Sequence, residues 1–144
     1  MQTNSSILLF AAGGAILLLD QWSKAMAQTH AADRCISVGP LLQIRHVAHV
    51  KEIYRRTGPR AMFVLVWLAA LSSSILLHRS GMWFQSTSAL FGLTSALAGA
   101  GGNLLDILVR RHVVDFIDLG WWPVFNLADV GIVAGLAVAL WYGV

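Results

Sequence analysis

Apolar runs of membrane-crossing length alternate along this chain with short polar or basic breaks. A helix needs about 20 mostly apolar residues to cross the hydrocarbon core of a bilayer. Four segments approach that length. The first span is predicted over 6–27 and contains an uncharged stretch at 7–19. The second, 61–77, and the third, 82–105, carry no charge. The fourth, 123–144, carries only Asp129, near its start.

The breaks between these spans are unequal. His78-Arg79-Ser80-Gly81 reads as a tight turn between spans two and three. Residues 28–60 form a long, basic, mostly polar segment, and 107–122 form a second connection on the same side. Within the long segment, Leu42-Gln43-Ile44-Arg45 alternates like a strand, and Val47 and Val50 break the period. A small sheet on the membrane surface and an interfacial amphipathic helix both fit that pattern. Gly58-Pro59 closes the segment. Trp22, Trp83, Trp121 and Trp122 lie near span ends, where an aromatic belt belongs. The expectation is an all-α membrane protein. One domain, 1–144, would hold four transmembrane helices, with the extramembrane segment 28–60, or a short β-cradle, between helices one and two.

A cleaved leader is the rival reading of the first span, since Ala25-Met26-Ala27 resembles a cleavage site. The opening Met-Gln-Thr-Asn lacks basic residues, and Asp20 and Lys24 fall before that site. A retained helix is therefore expected.

Composition narrows the class. Of 144 residues, 57% are apolar and 12% charged, against roughly 25% charged in a soluble domain. So few charges would not cover a soluble globule, and such apolarity excludes disorder. Cys35 stands alone, which excludes a disulfide scaffold and leaves a free thiol. The net charge of +3 does not imply nucleic acid. The basic residues sit beside apolar spans, where anionic lipid head groups would meet them, and no nucleic-acid motif is present. Arg34, Arg45, Lys51, Arg55, Arg56 and Arg60 lie in the long connection, and Arg110 and Arg111 in the other. Counted alone, they place that face in the cytoplasm.

Candidate chemistry lies in the carboxylates. Ionisable groups within apolar spans cost roughly 2.5–3.5 kcal/mol on insertion scales and usually have a function. Asp20, Asp106, Asp115 and Asp129 all gather toward one membrane face. Two carboxylates held close share one proton, so one can act as a general base on water while the other polarises a carbonyl. Helix capping or an interfacial ion pair is the plain reading of any one of them. Asp20 and Lys24 are spaced i, i+4 and read as a structural ion pair anchoring span one. His46 and His49 lack partners to complete a metal site, so no metal is expected.

Three C-terminal motifs resemble those of the lipoprotein signal peptidase (signal peptidase II) family. They are Gly101-Gly102-Asn103-Leu104-Leu105-Asp106, Val113-Val114-Asp115-Phe116 and Pro123-Val124-Phe125-Asn126-Leu127-Ala128-Asp129. Asp20-Gln21-Trp22-Ser23-Lys24 looks like the family's first-helix motif. The resemblance implies an intramembrane aspartic endopeptidase with Asp115 and Asp129 as catalytic dyad. Asn103, Asp106 and Asn126 would shape the site. Substrates would be prolipoproteins whose new N-terminal cysteine carries a diacylglyceryl group, entering laterally from membrane lipid. No metal or organic cofactor is implied. The location would be the bacterial inner membrane, with the active-site face periplasmic or extracellular, opposite to the charge count.

The sequence departs from the family at two places. His49-Val50-Lys51-Glu52-Ile53-Tyr54 stands where the family has an Asn-x-Gly-Ala-Ala-Phe-like motif. Ile107 stands where the family has Arg after the Asp of its Gly-Asn-x-x-Asp motif, and Arg110 and Arg111 are candidates to replace it. These departures motivate an alternative: a noncatalytic relative serving as a structural or accessory subunit of a larger membrane complex. A small proton-relaying transporter is a third reading, weakened because the charges gather at one face.

Overall fold

The computed structural model describes residues 2–30, 36–37, 43–47 and 60–143. Four helices carry the apolar runs: α1 (Gln2–His30), α2 (Arg60–Arg79), α3 (Thr87–Val109) and α4 (Leu127–Trp141). Three stretches, Ile7–His30, Arg60–Arg79 and Thr87–Val109, are long and apolar enough to cross a membrane. The fourth helix, α4, has 15 residues.

Helix starts differ from the hydropathy pattern for local reasons. Span three is predicted from Met82, but α3 begins at Thr87. Gly81 and Phe84 take left-handed backbone (φ 72° and 58°), which breaks any helix there. Ser86 then caps α3 by accepting a hydrogen bond from Ala89 N at 3.1 Å. Span four is predicted from Pro123, but α4 begins at Leu127. Phe125 pairs with Ile117, exchanging backbone bonds of 2.8 and 3.1 Å, and so is held out of the helix.

The turn end of the bundle is tied to the end of α4. Phe84 N donates to Gly143 O at 3.1 Å, and Ser86 Oγ donates to Tyr142 O at 2.9 Å. Phe84, Ala89 and Ala139 form the buried apolar cluster beside these bonds. Farther along, small residues bring α3 and α4 together. A Cβ at Gly99 would lie 2.5 Å from Ala128 O, so only glycine permits that approach. By contrast, α2 buries none of its residues; its Trp67 Nε1 donates to Leu97 O of α3 at 3.1 Å.

At the other end lies a three-stranded antiparallel sheet in the order β1 (Ile36–Ser37), β2 (Gln43–Val47), β3 (Asp115–Asp118). Ile36 pairs with Ile44, and Ile44 with Ile117. Thus Ile44 lies in a strand rather than an amphipathic helix. The register shifts between Ile44 and Val47, where the alternation fails in the sequence. The sheet joins the segment between α1 and α2 to the connection between α3 and α4. That connection carries Asp115. His46 lies on β2, while Cys35, His49 and the 49–54 departure lie outside the described residues.

Candidate active site

The strand β3 delivers Asp115 at its first residue, and the start of α4 delivers Asn126 and Asp129. Asn126 has extended backbone and caps α4: its Oδ1 accepts from Asp129 N at 3.0 Å. Asn126 N in turn donates to Asp129 Oδ2 at 3.2 Å, closing a capping box. With its carbonyl oxygen committed to an N–H, the Asn126 amide is free to donate. Its Nδ2 donates to Asp115 Oδ1 at 2.7 Å and to Asn103 Oδ1 at 3.1 Å. Asn126 is itself fully buried. One asparagine therefore holds both Asp115 and Asp129, which are half-buried.

Asn103, from α3, joins this pair to a deeper cluster. Its Nδ2 donates to Asp129 Oδ1 at 2.8 Å, and its Oδ1 accepts from Lys24 Nζ at 2.9 Å. Lys24 pairs with Asp20 at 2.8 Å and with Asp106 at 2.7 Å, all three fully buried. Lys24 thus serves α3 as well as its own helix. Asp20 Oδ1 accepts from Ala128 N at 2.9 Å, so α1 satisfies an orphan donor in the first turn of α4. Gly102 makes room for this carboxylate: a Cβ there would sit 2.6 Å from Asp20 Oδ2.

Two further partners complete the deep cluster: Gln21, given no role of its own in the sequence reading, and Arg110, named there only as a candidate to replace the arginine absent at Ile107. Gln21 Nε2 donates to Asp20, to Gly102 O and to Asp106 at 3.1–3.3 Å. Arg110 forms an ion pair with Asp106 and donates to Gln21 Oε1 at 2.7 Å. The i, i+4 spacing of Asp106 and Arg110 is the signal that could have found this pair, as it found Asp20 and Lys24. Ile107 points elsewhere, into an apolar groove of about 320 Å³ with Phe63, Val66, Trp67, Asn103 and Ile132. A second apolar groove, about 350 Å³, is lined by Trp122, Phe125, Asp129, Val130 and Val133. The two polar side chains Asn103 and Asp129 each line one groove and are bonded to each other.

Electrostatics separate the two carboxylate sets. Burial pushes the Asp115 carboxyl above its ordinary value of 3.8; the Asn126 hydrogen bond opposes this, and the Asp129 charge adds to it. Both oxygens of Asp129 accept hydrogen bonds. Chemically, the arrangement sets two carboxyl groups, joined through Asn126, beside two apolar grooves. Among the described residues, no group of three or more His, Cys, Asp or Glu is placed to hold a metal ion.

Comparison with known proteins follows the same residues. The signal peptidase (SPase) II family profile matches residues 13–144. A lipoprotein signal peptidase of Rhodococcus jostii is 36% identical over 138 residues, covering 90% of this chain and 68% of that protein. One from Caldicellulosiruptor bescii is 37% identical over 123 residues, covering 83% of this chain and 79% of that protein. A solved bacterial membrane enzyme superposes with a TM-score of 0.75 at 22% identity, over 92% of this chain and 90% of the other.

Proposed function

We propose a function for this chain from the family to which it belongs, the signal peptidases II: it is an intramembrane aspartic endopeptidase that cuts the signal peptide from lipid-modified prolipoproteins. Asp115 and Asp129 are its catalytic pair. Asp129, ionised, takes a proton from water as the water oxygen attacks the scissile carbonyl carbon. Asp115, protonated, donates its hydrogen bond to the carbonyl oxygen and stabilises the charge that develops there. Collapse of the tetrahedral adduct breaks the C–N bond, and the leaving nitrogen takes a proton from the pair. Asn103 and Asn126 fix the geometry of the pair, and Asp106 braces the turn before Asp115.

The observation that carries this reading is the Asn126 side chain and backbone, bonded to Asp115 at 2.7 Å and to Asp129 at 3.2 Å. A buried amide with its own oxygen occupied cannot turn away from either acid without losing a hydrogen bond. In this reading α4 is the fourth span of a single membrane domain. The strands β1 and β2, within the segment 28–60, offer a surface for substrate at the outer face of the bacterial inner membrane. The apolar grooves beside Asn103 and Asp129 open toward lipid, the side from which a diacylglyceryl-bearing substrate arrives.

Purified chain in lipid, given a diacylglyceryl-modified prolipoprotein, is expected to release the signal peptide. Asp115→Asn and Asp129→Asn are each expected to abolish release while remaining folded. Undiminished cleavage by either variant removes the dyad. A folded wild-type chain that never cleaves returns the noncatalytic alternative.

A further inference from the structure

We propose that Arg110 is a positioning residue for Asp115: by neutralising Asp106 it holds the turn that carries Asp115 to Asn126. The proposal rests on the peptidase reading above and adds a residue to it.

Charge in the deep cluster motivates the assignment. Asp20 and Asp106 are both fully buried, and Lys24 touches both. One cation between two carboxylates leaves a negative charge in surroundings that cannot solvate it. Arg110 supplies the second cation from the rim, where its side chain is 23% exposed. Through Nη1 it reaches Asp106 and Gln21 together. This orients the Gln21 amide so that its Nε2 faces Asp20 and Asp106.

Geometry then links Asp106 to the dyad. Arg110 N donates to Asp106 O at 2.7 Å, which ends α3. Arg111 takes left-handed backbone, φ 68°, and reverses the chain. The His112 ring meets Arg110 O at 2.8 Å. Val114, buried at 1% exposure, returns its N–H to Asp106 Oδ2 at 3.4 Å. Asp115 is the next residue. The turn between α3 and β3 is therefore tied at both ends to Asp106. That long bond to Val114 tolerates little movement of the carboxylate. An Asp106 without its outer cation would keep one charged partner, Lys24, on the side toward Asp20, beside the weaker neutral donors Gln21 Nε2 and Val114 N, and the start of β3 would shift. Small misplacement of a catalytic group lowers turnover far more than binding.

The test is steady-state cleavage of a lipidated prolipoprotein by the full chain in lipid. Arg110→Leu is expected to lower kcat about tenfold or more, with KM within about twofold of wild type. Arg110→Lys keeps the charge at the same spacing and is expected to return kcat to within about threefold of wild type. In an Asp106→Asn background, where there is no charge to neutralise, Arg110→Leu is expected to cost less than in wild type. If Arg110→Leu does not fold, Arg110→Gln, uncharged but able to reach Gln21, is expected to show the same fall in kcat. The proposal is overturned if kcat of the folded uncharged variant stays within about twofold of wild type, or if Arg110→Lys is as damaged as Arg110→Leu. Failure of the peptidase reading looks different: the folded wild type would then not cleave at all, or Asp115→Asn or Asp129→Asn would cleave normally.

Discussion

Asp20 and Asp106 lie against Lys24 and Arg110, whereas Asp115 and Asp129 lie against Asn103 and Asn126. The first set is fully buried and has a cation for each acid. The second is half-buried, and among the described residues it is held by amides and a backbone N–H rather than by an ion pair. The chemistry of an aspartate here depends on its partner. A cation balances the charge of a buried carboxylate. An amide orients a carboxyl group without adding charge. Asn103 is bonded to both sets, accepting from Lys24 and donating to Asp129.

The sharpest way to break this contrast is Lys24→Met. Two buried carboxylates would keep only one cation, Arg110, and stability is expected to fall by about 3–5 kcal/mol, the usual result of breaking a buried pair from one side. Chemical or thermal unfolding in lipid measures this, and cleavage should be lost with the fold. Next comes Asp129→Asn, which should separate the two sets. Turnover is expected to drop about 10³-fold or more, while the unfolding midpoint stays near wild type. A large loss of stability in this variant would mean that Asp129 belongs with the structural set.

A pH titration sharpens the same contrast. Asp115 sits above its ordinary aspartate value, so its protonated form is favoured by the fold. The stability this contributes is fully present below the ordinary value and is lost as pH rises through the raised one. Turnover that needs a proton on Asp115 is expected to fall over the same rise. A kcat–pH profile measures it, and a profile without an alkaline decline would sink the assignment of the proton to Asp115. The smallest effect is expected from Arg111→Gly. Arg111 holds φ 68° with an exposed side chain, and glycine there should stabilise by about 1 kcal/mol. Cleavage should be unchanged, since the Arg110 contacts stay in place.

Local features of the site were readable in the sequence, and contacts distant along the chain were not. The apolar runs announce α1, α2 and α3 because a helix in lipid needs continuous apolarity. Asp20 and Lys24 announce each other because they are one turn apart. The motifs around Asn103, Asp106, Asp115, Asn126 and Asp129 name the polar residues that the structure brings together. Hydropathy does not reveal that Phe125 is drawn into a bridge with Ile117, so α4 starts later than its apolar stretch. Nor does it show Asp20 reaching Ala128 N, 108 residues away, or Arg110 reaching Gln21, 89 residues away. Such contacts depend on where whole helices pack, which a single sequence does not encode in any short window. The strand at Gln43–Val47 lies between these cases. Its alternation was visible, but its partner β3 was too short to register as a strand.

The 15 residues of α4 rise about 22 Å along the helix axis, whereas the hydrocarbon of a typical bilayer is about 30 Å thick. In the proposed reading, where α4 is the fourth span, lipid beside it would be compressed or the polar residues at its start would lie below the head groups. Acyl-chain length would then set how far Asp129 sits from interfacial water. On that reading membrane thickness acts on this site as acidity does, and a bilayer of shorter lipids should suit α4 better than one of longer lipids.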